Sequence, residues 1–255
     1  MRDQSRSEMK PDLQFSDQRL ADLYDLGNAG SEDREFYLDL AKAAPQTILD
    51  LGCGTGLLAL AFAKRGHRVV GVDPARAMLN VARRSSFADR VEWIEGTAET
   101  YESDQAFDLI IMTGHAFQVL LEDAQVVAAL STMARHLKPD GVAVFESRNP
   151  ALDWDAVWAR AYEMQAPEGP VRAERRMTDR SRAPEYLSFA WDYHFTTGTM
   201  TSDSTLRFLS AAEIQGMART AGLKLVDLFG DWDGSAFQPA TSREMIFKFQ
   251  LDQGA

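Results

Sequence analysis

With 255 residues, 45% hydrophobic and 25% charged, the chain has the make-up of a soluble globular protein, long enough for one large domain or one domain with an insertion. Its net charge of −11, from 27 basic and 38 acidic side chains, is the reverse of the basic excess that displaces counterions from phosphates, so nucleic acid is not an expected partner. No apolar run nears the ~20 residues that span a bilayer, the polar start MRDQSRSEMKPDLQ is unlike a secretory signal, and a lone Cys53 points to the reducing cytoplasm.

The first residues lack periodicity and read as a loose arm. Ser16 is expected to cap a short helix carrying Leu20, Leu23 and Tyr24. A second helix is expected from Ser31, with Phe36, Tyr37, Leu40 and Ala44 inward, stopping at Pro45. Strands and helices then alternate. Ile48–Leu51, Val69–Val72, Val91–Ile94, Phe107–Met112 and Val142–Phe145 are short apolar runs without polar alternation, as in parallel strands covered on both faces. Leu57–Lys64, Ala75–Arg84 and Asp123–Leu137 are the helices between them, and Lys138-Pro139-Asp140-Gly141 turns the last into the fifth strand. This rhythm predicts a doubly wound α/β sheet.

Residues 151–209 break the rhythm. Leu187, Phe189, Trp191, Tyr193 and Phe195 alternate with smaller or polar residues, Thr197-Gly198 turns, and a second run reaches Leu206 and Phe208. The pattern predicts an antiparallel hairpin inserted after the fifth strand, covering one end of the sheet or pairing with a second copy in a homodimer. Ser210 and Glu213 form a capping box before a helix that Gly222 ends, and Leu223–Phe229 and Glu244–Gln250 are the final strands. The chain thus divides into an arm with covering helices (1–45), a core (46–150), a β-rich lid (151–209) and the rest of the core (210–255).

Chemistry concentrates at strand ends. Asp50-Leu51-Gly52-Cys53-Gly54-Thr55-Gly56 lies between a strand and a helix, where glycines let a ligand approach the main chain and the helix offers free N–H groups. Asp73 closes the next strand. It can accept both hydroxyls of a ribose, cap the helix after Pro74, or do both. Glu95-Gly96-Thr97-Ala98-Glu99 and Thr113-Gly114-His115-Ala116-Phe117-Gln118 follow two further strands, the latter at the crevice where strand order reverses.

In the order DLGCGTG, GVDPARAML, EGTAE, FDLIIM and HLKPDGV, residues 47–148 resemble the class I S-adenosylmethionine-dependent methyltransferases. The resemblance implies a Rossmann-like seven-stranded sheet, mostly parallel with an antiparallel last strand, and methyl transfer from S-adenosylmethionine to a small molecule. It implies that Asp50, Gly52 and Gly54 line the methionine end of the cofactor, that Asp73 binds the ribose, and that Pro74, Thr97 and Ala98 border the adenine. Cys53 and Thr113 complete that set. Thr97 stands where many relatives carry an acid. A nicotinamide-binding domain would prefer G-x-G-x-x-G, but Leu57 occupies the position of its third glycine. The N/D-P-P-Y/F motif of amine-directed nucleic-acid methyltransferases is replaced by Thr113-Gly114-His115-Ala116-Phe117.

His115 is the candidate general base, or else shapes the pocket, and Tyr24 is a candidate at the substrate edge. Arg148, ending the fifth strand, can take a substrate carboxylate or pair with a structural acid. His194 is a weaker base candidate. His67 and His136 read as surface residues, and Trp154, Trp158 and Trp191 as core. Arg172, Arg175, Arg176, Arg180 and Arg182 read as a solvated face, and no residues have metal-ligand spacing. An S-adenosylmethionine-binding regulatory protein, or an enzyme of non-methyl chemistry with the same pocket, is the alternative.

Overall fold

The computed structural model describes residues 11–27, 32–252 and 254. Three one-turn helices, α1 (Leu13–Ser16), α2 (Gln18–Ala21) and α3 (Tyr24–Gly27), open the chain. Asp17, not Ser16, caps α2, accepting the N–H groups of Arg19 and Leu20. The expected start of the next helix, Ser31, lies outside the described residues; α4 (Glu32–Asp39) ends well before Pro45 and leaves Ala44 exposed.

The core then follows the predicted alternation: β1 (Thr47–Leu51), α5 (Leu57–Lys64), β2 (Arg68–Asp73), α6 (Arg76–Arg84), β3 (Val91–Glu95), β4 (Phe107–Met112), α7 (Asp123–His136) and β5 (Leu137–Arg148). Pro74 lies outside α6, whose N-cap is Ala75 and not Asp73, which corrects the expected cap. After α8 (Trp154–Val157) come β6 (Ala161–Ala166), β7 (Gly169–Asp179), β8 (Tyr186–Phe195) and β9 (Gly198–Arg207), followed by α9 (Ala211–Thr220), β10 (Leu223–Phe229) and β11 (Glu244–Leu251).

Among the described residues, seven strands form one sheet in the order β10-β11-β5-β4-β1-β2-β3. β1, β2, β3, β4 and β5 pair in parallel, while β11 runs antiparallel to both its neighbours. Both faces are covered. Leu49, Leu51, Ile110 and Phe145 pack with α7 and α9, whereas Ile48, Leu109, Ile111 and Val144 pack with α4 and α5. This two-sided burial is why the strand sequences show no polar alternation. The chain runs outward from β1 to β3 and returns to β4 on the other side of β1, which opens a crevice at the carboxyl ends of β1 and β4.

The insertion is larger than the predicted hairpin. It is a four-stranded antiparallel sheet in the order β6-β7-β8-β9. The extra strands are β6 and β7, and on β7 the apolar alternation is broken by Arg175, which stands where an inward apolar residue would be expected, buried and paired with Asp155 at 3.1 Å. Arg172 and Arg176 do form solvated pairs, with Glu174 and Asp192, but Arg175 corrects the reading of the whole cluster as surface. The sheet packs on the amino-terminal helices through Met164, Val171, Tyr193 and Phe195 against Leu20 and Leu23. Those helices reach α6 in turn, where Gln18 Nε2 donates to the Ala77 carbonyl and Gln18 Oε1 accepts from Asn80.

His67 and His136 are buried rather than on the surface. His136 accepts the Ser103 N–H at Nε2 (3.1 Å), lies 2.8 Å from the Thr132 carbonyl at Nδ1 and packs on Tyr101, so one buried ring serves two backbone groups. His67 Nδ1 accepts the Gln46 N–H. Among the described residues no helix is long and apolar enough to cross a membrane.

Candidate active site

The loop after β1 is pinned to β2 by its main chain. The N–H groups of Gly52 and Cys53 donate to the Val72 carbonyl at 2.8 and 3.0 Å, and the Gly54 N–H donates to Asp73 Oδ2 at 2.8 Å. Gly52, Gly54 and Gly56 have φ of +72°, +56° and +79°. Gly56 is doubly constrained, since a Cβ there would also overlap the Trp93 ring on β3. Thr55 Oγ1 donates to Asp25 at 2.6 Å, which ties the loop to α3 above it.

Asp73 is buried, and its other oxygen accepts the Ala75 N–H at 2.8 Å. Asp73 does not cap α6, whose N-cap is Ala75; its carboxylate instead braces the turn before the helix and keeps lone pairs for a ligand. Burial pushes its carboxyl up to about 6, against the pull of the Ala75 and Gly54 N–H groups. Asp50 lies deeper. Its Oδ1 is fully buried and makes no hydrogen bond among the described residues. Burial, then the charges of Asp73 and Glu146, push its carboxyl up to about 8.

That shift has a readable consequence. Between an unfolded aspartate value near 3.9 and about 8, the folded protein holds a proton that the unfolded chain has released, so stability falls as pH rises through this window. The ligand-free protein should lose melting temperature from about pH 6 to about pH 8, and Asp50→Asn should flatten that slope. A thermal-melt series in which both proteins keep the same slope would refute the assignment.

Across the crevice, Gly114 and His115 turn with φ of +67° and +59°. Glu146 on β5 holds this turn, with Oε1 accepting the His115 N–H at 2.6 Å and Oε2 accepting the Tyr37 hydroxyl of α4. The His115 ring meets Glu244, at the start of β11, with Nε2 to Oε2 at 2.8 Å. The His115 and Glu244 side chains keep 18% and 11% exposure. Burial pushes the Glu146 carboxyl up, opposed by His115 and Tyr37. For Glu244 burial also acts upward, but attraction from His115, Arg148 and Arg243 outweighs it and holds the carboxyl below its ordinary value.

Arg148 lies opposite Glu244 in the β5–β11 ladder, donates from Nη1 to Gln118 Oε1 at 2.9 Å and stacks near Trp158 and Trp154. Burial lowers it to about 10, so it stays charged at neutral pH. Tyr24 is pushed up to about 12 by burial, Asp73 and Asp25, which makes it a hydrogen-bond donor and no base near neutrality. Burial, Asp50 and Asp73 raise the Cys53 thiol, which stays protonated.

Pro74, Thr97 and Ala98 lie at the ends of β2 and β3, where the Gly96 N–H donates to the Asp73 carbonyl. Thr113 begins the His115 turn, and Ala116 in that turn lies 2.9 Å from where a Cβ on Gly52 would be. The two loops therefore face one another. His194 is apart from them, on β8, paired with Glu174 and Thr199. Glu146 and Glu244 were not singled out in the sequence, and Tyr37 only as an inward residue of a helix. An acid that directly continues an apolar parallel strand, as Glu146 does after Phe145, was the available signal.

A family model described as a methyltransferase domain matches residues 48–141. The cypemycin N-terminal methyltransferase of a Streptomyces species is 32% identical over 201 residues, which cover 79% of this chain and 81% of that protein. The chain belongs to the S-adenosylmethionine-dependent methyltransferases. Solved methyltransferases share the fold over nearly the whole length. The CcbJ methyltransferase of Streptomyces caelestis has a TM-score of 0.77 at 24% identity, covering 93% of this chain and 97% of its own. An amino pentose methyltransferase of Micromonospora echinaspora, solved with its cofactor, has a TM-score of 0.64 at 23% identity, covering 88% and 93%.

The residues of this methyltransferase fit its cofactor. S-adenosylmethionine is a cation with an ammonium and a sulfonium centre and two ribose hydroxyls, and the buried, unpaired oxygen of Asp50 is a ready acceptor for such a cation. Asp73 can still accept hydroxyls beside its two backbone donors.

Proposed function

We propose that the methyltransferase methylates an amine nitrogen of a small molecule, with His115 taking the proton. The carrying observation is the His115–Glu244 pair, with His115 in the same turn as Ala116, which lies against Gly52 of the glycine loop. An ammonium has no lone pair, so a proton must leave before nitrogen can attack. One relative is named for an N-terminal acceptor and one structural neighbour for an amino pentose.

In this reading Asp50, with the main chain of Gly52, Cys53 and Gly54, holds the methionine end of the cofactor. Asp73 holds the ribose, Pro74, Thr97 and Ala98 border the adenine, and Thr113 closes the crevice beside the sulfur. When bound, S-adenosylmethionine supplies an electrophilic methyl group. His115 receives the acceptor's proton, Glu244 stabilises the resulting imidazolium, and Tyr24 donates a hydrogen bond at the substrate edge. Arg148 orients an anionic or carbonyl group of the acceptor. Of the arm and helices (1–45), residues 1–10 lie outside the described residues; the helices from residue 11 on and the 151–209 insertion cover a core of 46–150 and 210–255 and exclude water, and positioning and exclusion supply several kcal/mol of barrier reduction. The net charge of −11 supports a small molecule over a nucleic acid as partner, and the lone Cys53 supports a cytoplasmic setting.

The test is a panel of small primary and secondary amines with matched alcohols, incubated with S-adenosylmethionine and read by mass spectrometry. Amines should gain one methyl group while the alcohols stay unchanged. Methylation confined to alcohols would contradict the reading.

A further inference from the structure

We propose that Glu244 is a positioning residue that fixes the His115 imidazole in one tautomer, protonated at Nε2, and so makes Nδ1 the atom that receives the acceptor's proton. This rests on His115 being the base, and deepens that reading from residue to atom.

The argument is one of donors and acceptors. His115 Nε2 and Glu244 Oε2 are 2.8 Å apart, so one of them carries the shared proton. The charged groups acting on Glu244 are Arg148 opposite it on β5, the neighbouring Arg243 and the imidazole itself, with the acid Glu146 also coupled to it. An ionised carboxylate among them only accepts, which places the hydrogen on Nε2. A neutral imidazole with Nε2–H has its lone pair on Nδ1, and the ring makes no other side-chain hydrogen bond among the described residues. On proton uptake the imidazolium keeps the Nε2–H bond to Glu244, so no second proton has to move.

Glu146 and Tyr37 act on the backbone instead. Oε1 of Glu146 takes the His115 N–H of the left-handed turn, while its Oε2 is held by the Tyr37 hydroxyl. Strands β5 and β11 and helix α4 thus hold the backbone and Nε2 of one ring, and Nδ1 makes no hydrogen bond among the described residues. Pre-set orientation of this kind is what a general base needs before its substrate arrives.

The test uses the full-length, 15N-labelled protein and long-range proton–nitrogen NMR of the histidine rings at about pH 8, where an unperturbed imidazole is neutral. His115→Asn identifies the signals by their loss, with asparagine chosen because it tolerates the left-handed backbone. The wild type should show His115 as a single tautomer protonated at Nε2. Glu244→Gln, whose amide oxygen still accepts, should keep that pattern, and Glu244→Ala should lose it to a mixture of tautomers while S-adenosylhomocysteine still binds. A wild-type ring protonated at Nδ1, or doubly protonated, would overturn the proposal, as would an unchanged pattern in Glu244→Ala. The spectrum needs no acceptor, so it can fail or succeed independently of the amine panel.

Discussion

Replacing His115 by asparagine should lower the turnover of an amine substrate by about 10²–10⁴-fold, the range over which a positioned general base contributes, and leave S-adenosylmethionine affinity within about threefold. The expectation depends on keeping the scaffold. His115 sits at φ +59°, where most side chains are strained, and its N–H is taken by Glu146. Asparagine accepts that backbone and retains the N–H, so the variant removes the imidazole and little else. Initial-rate kinetics with titration calorimetry separate the two quantities. A kcat reduced less than about threefold would assign His115 to shaping the crevice.

A second large effect is expected at Asp73. Its carboxylate holds the Gly54 and Ala75 N–H groups and is the acceptor offered to the ribose, so Asp73→Ala removes a charge-assisted bond and loosens the loop that frames the cofactor. Loss of such a bond costs about 1.5–3 kcal/mol, a decrease in affinity of roughly tenfold to a hundredfold. Asp73→Asn keeps one acceptor oxygen and should fall between. Stability of the ligand-free protein should change less than affinity, because the buried carboxylate is itself costly, as its upward shift to about 6 indicates. Calorimetry and thermal melts on both variants check this. A protein that melts much lower yet binds S-adenosylmethionine as before would reduce Asp73 to a structural brace.

These expectations draw on two kinds of residue. The half of the site on β1 and β2 was legible in the sequence because its determinants are local: strand, glycine turn, helix and the acid Asp73 lie within one stretch of chain. The His115 turn was legible for the same reason, as the continuation of β4. Its partner was not, since Glu244 lies 129 residues away and meets His115 only because β11 enters the sheet beside β5. Glu146 looked like the end of an apolar strand, and its role depends on Tyr37 from a helix whose extent was itself misread. In the insertion, β8 and β9 showed clean alternation, whereas in β7 the buried Arg175 hid the inward face. Long-range pairing and buried charge were the two features that local pattern did not carry.

The most direct measurement is a crystal structure of the protein with S-adenosylhomocysteine bound. The ammonium should lie on Asp50 Oδ1, the ribose hydroxyls on Asp73, and the sulfur should face the His115–Glu244 pair, within reach of an acceptor placed between them. A cofactor whose ribose avoids Asp73, or whose sulfur points away from His115, would contradict the account.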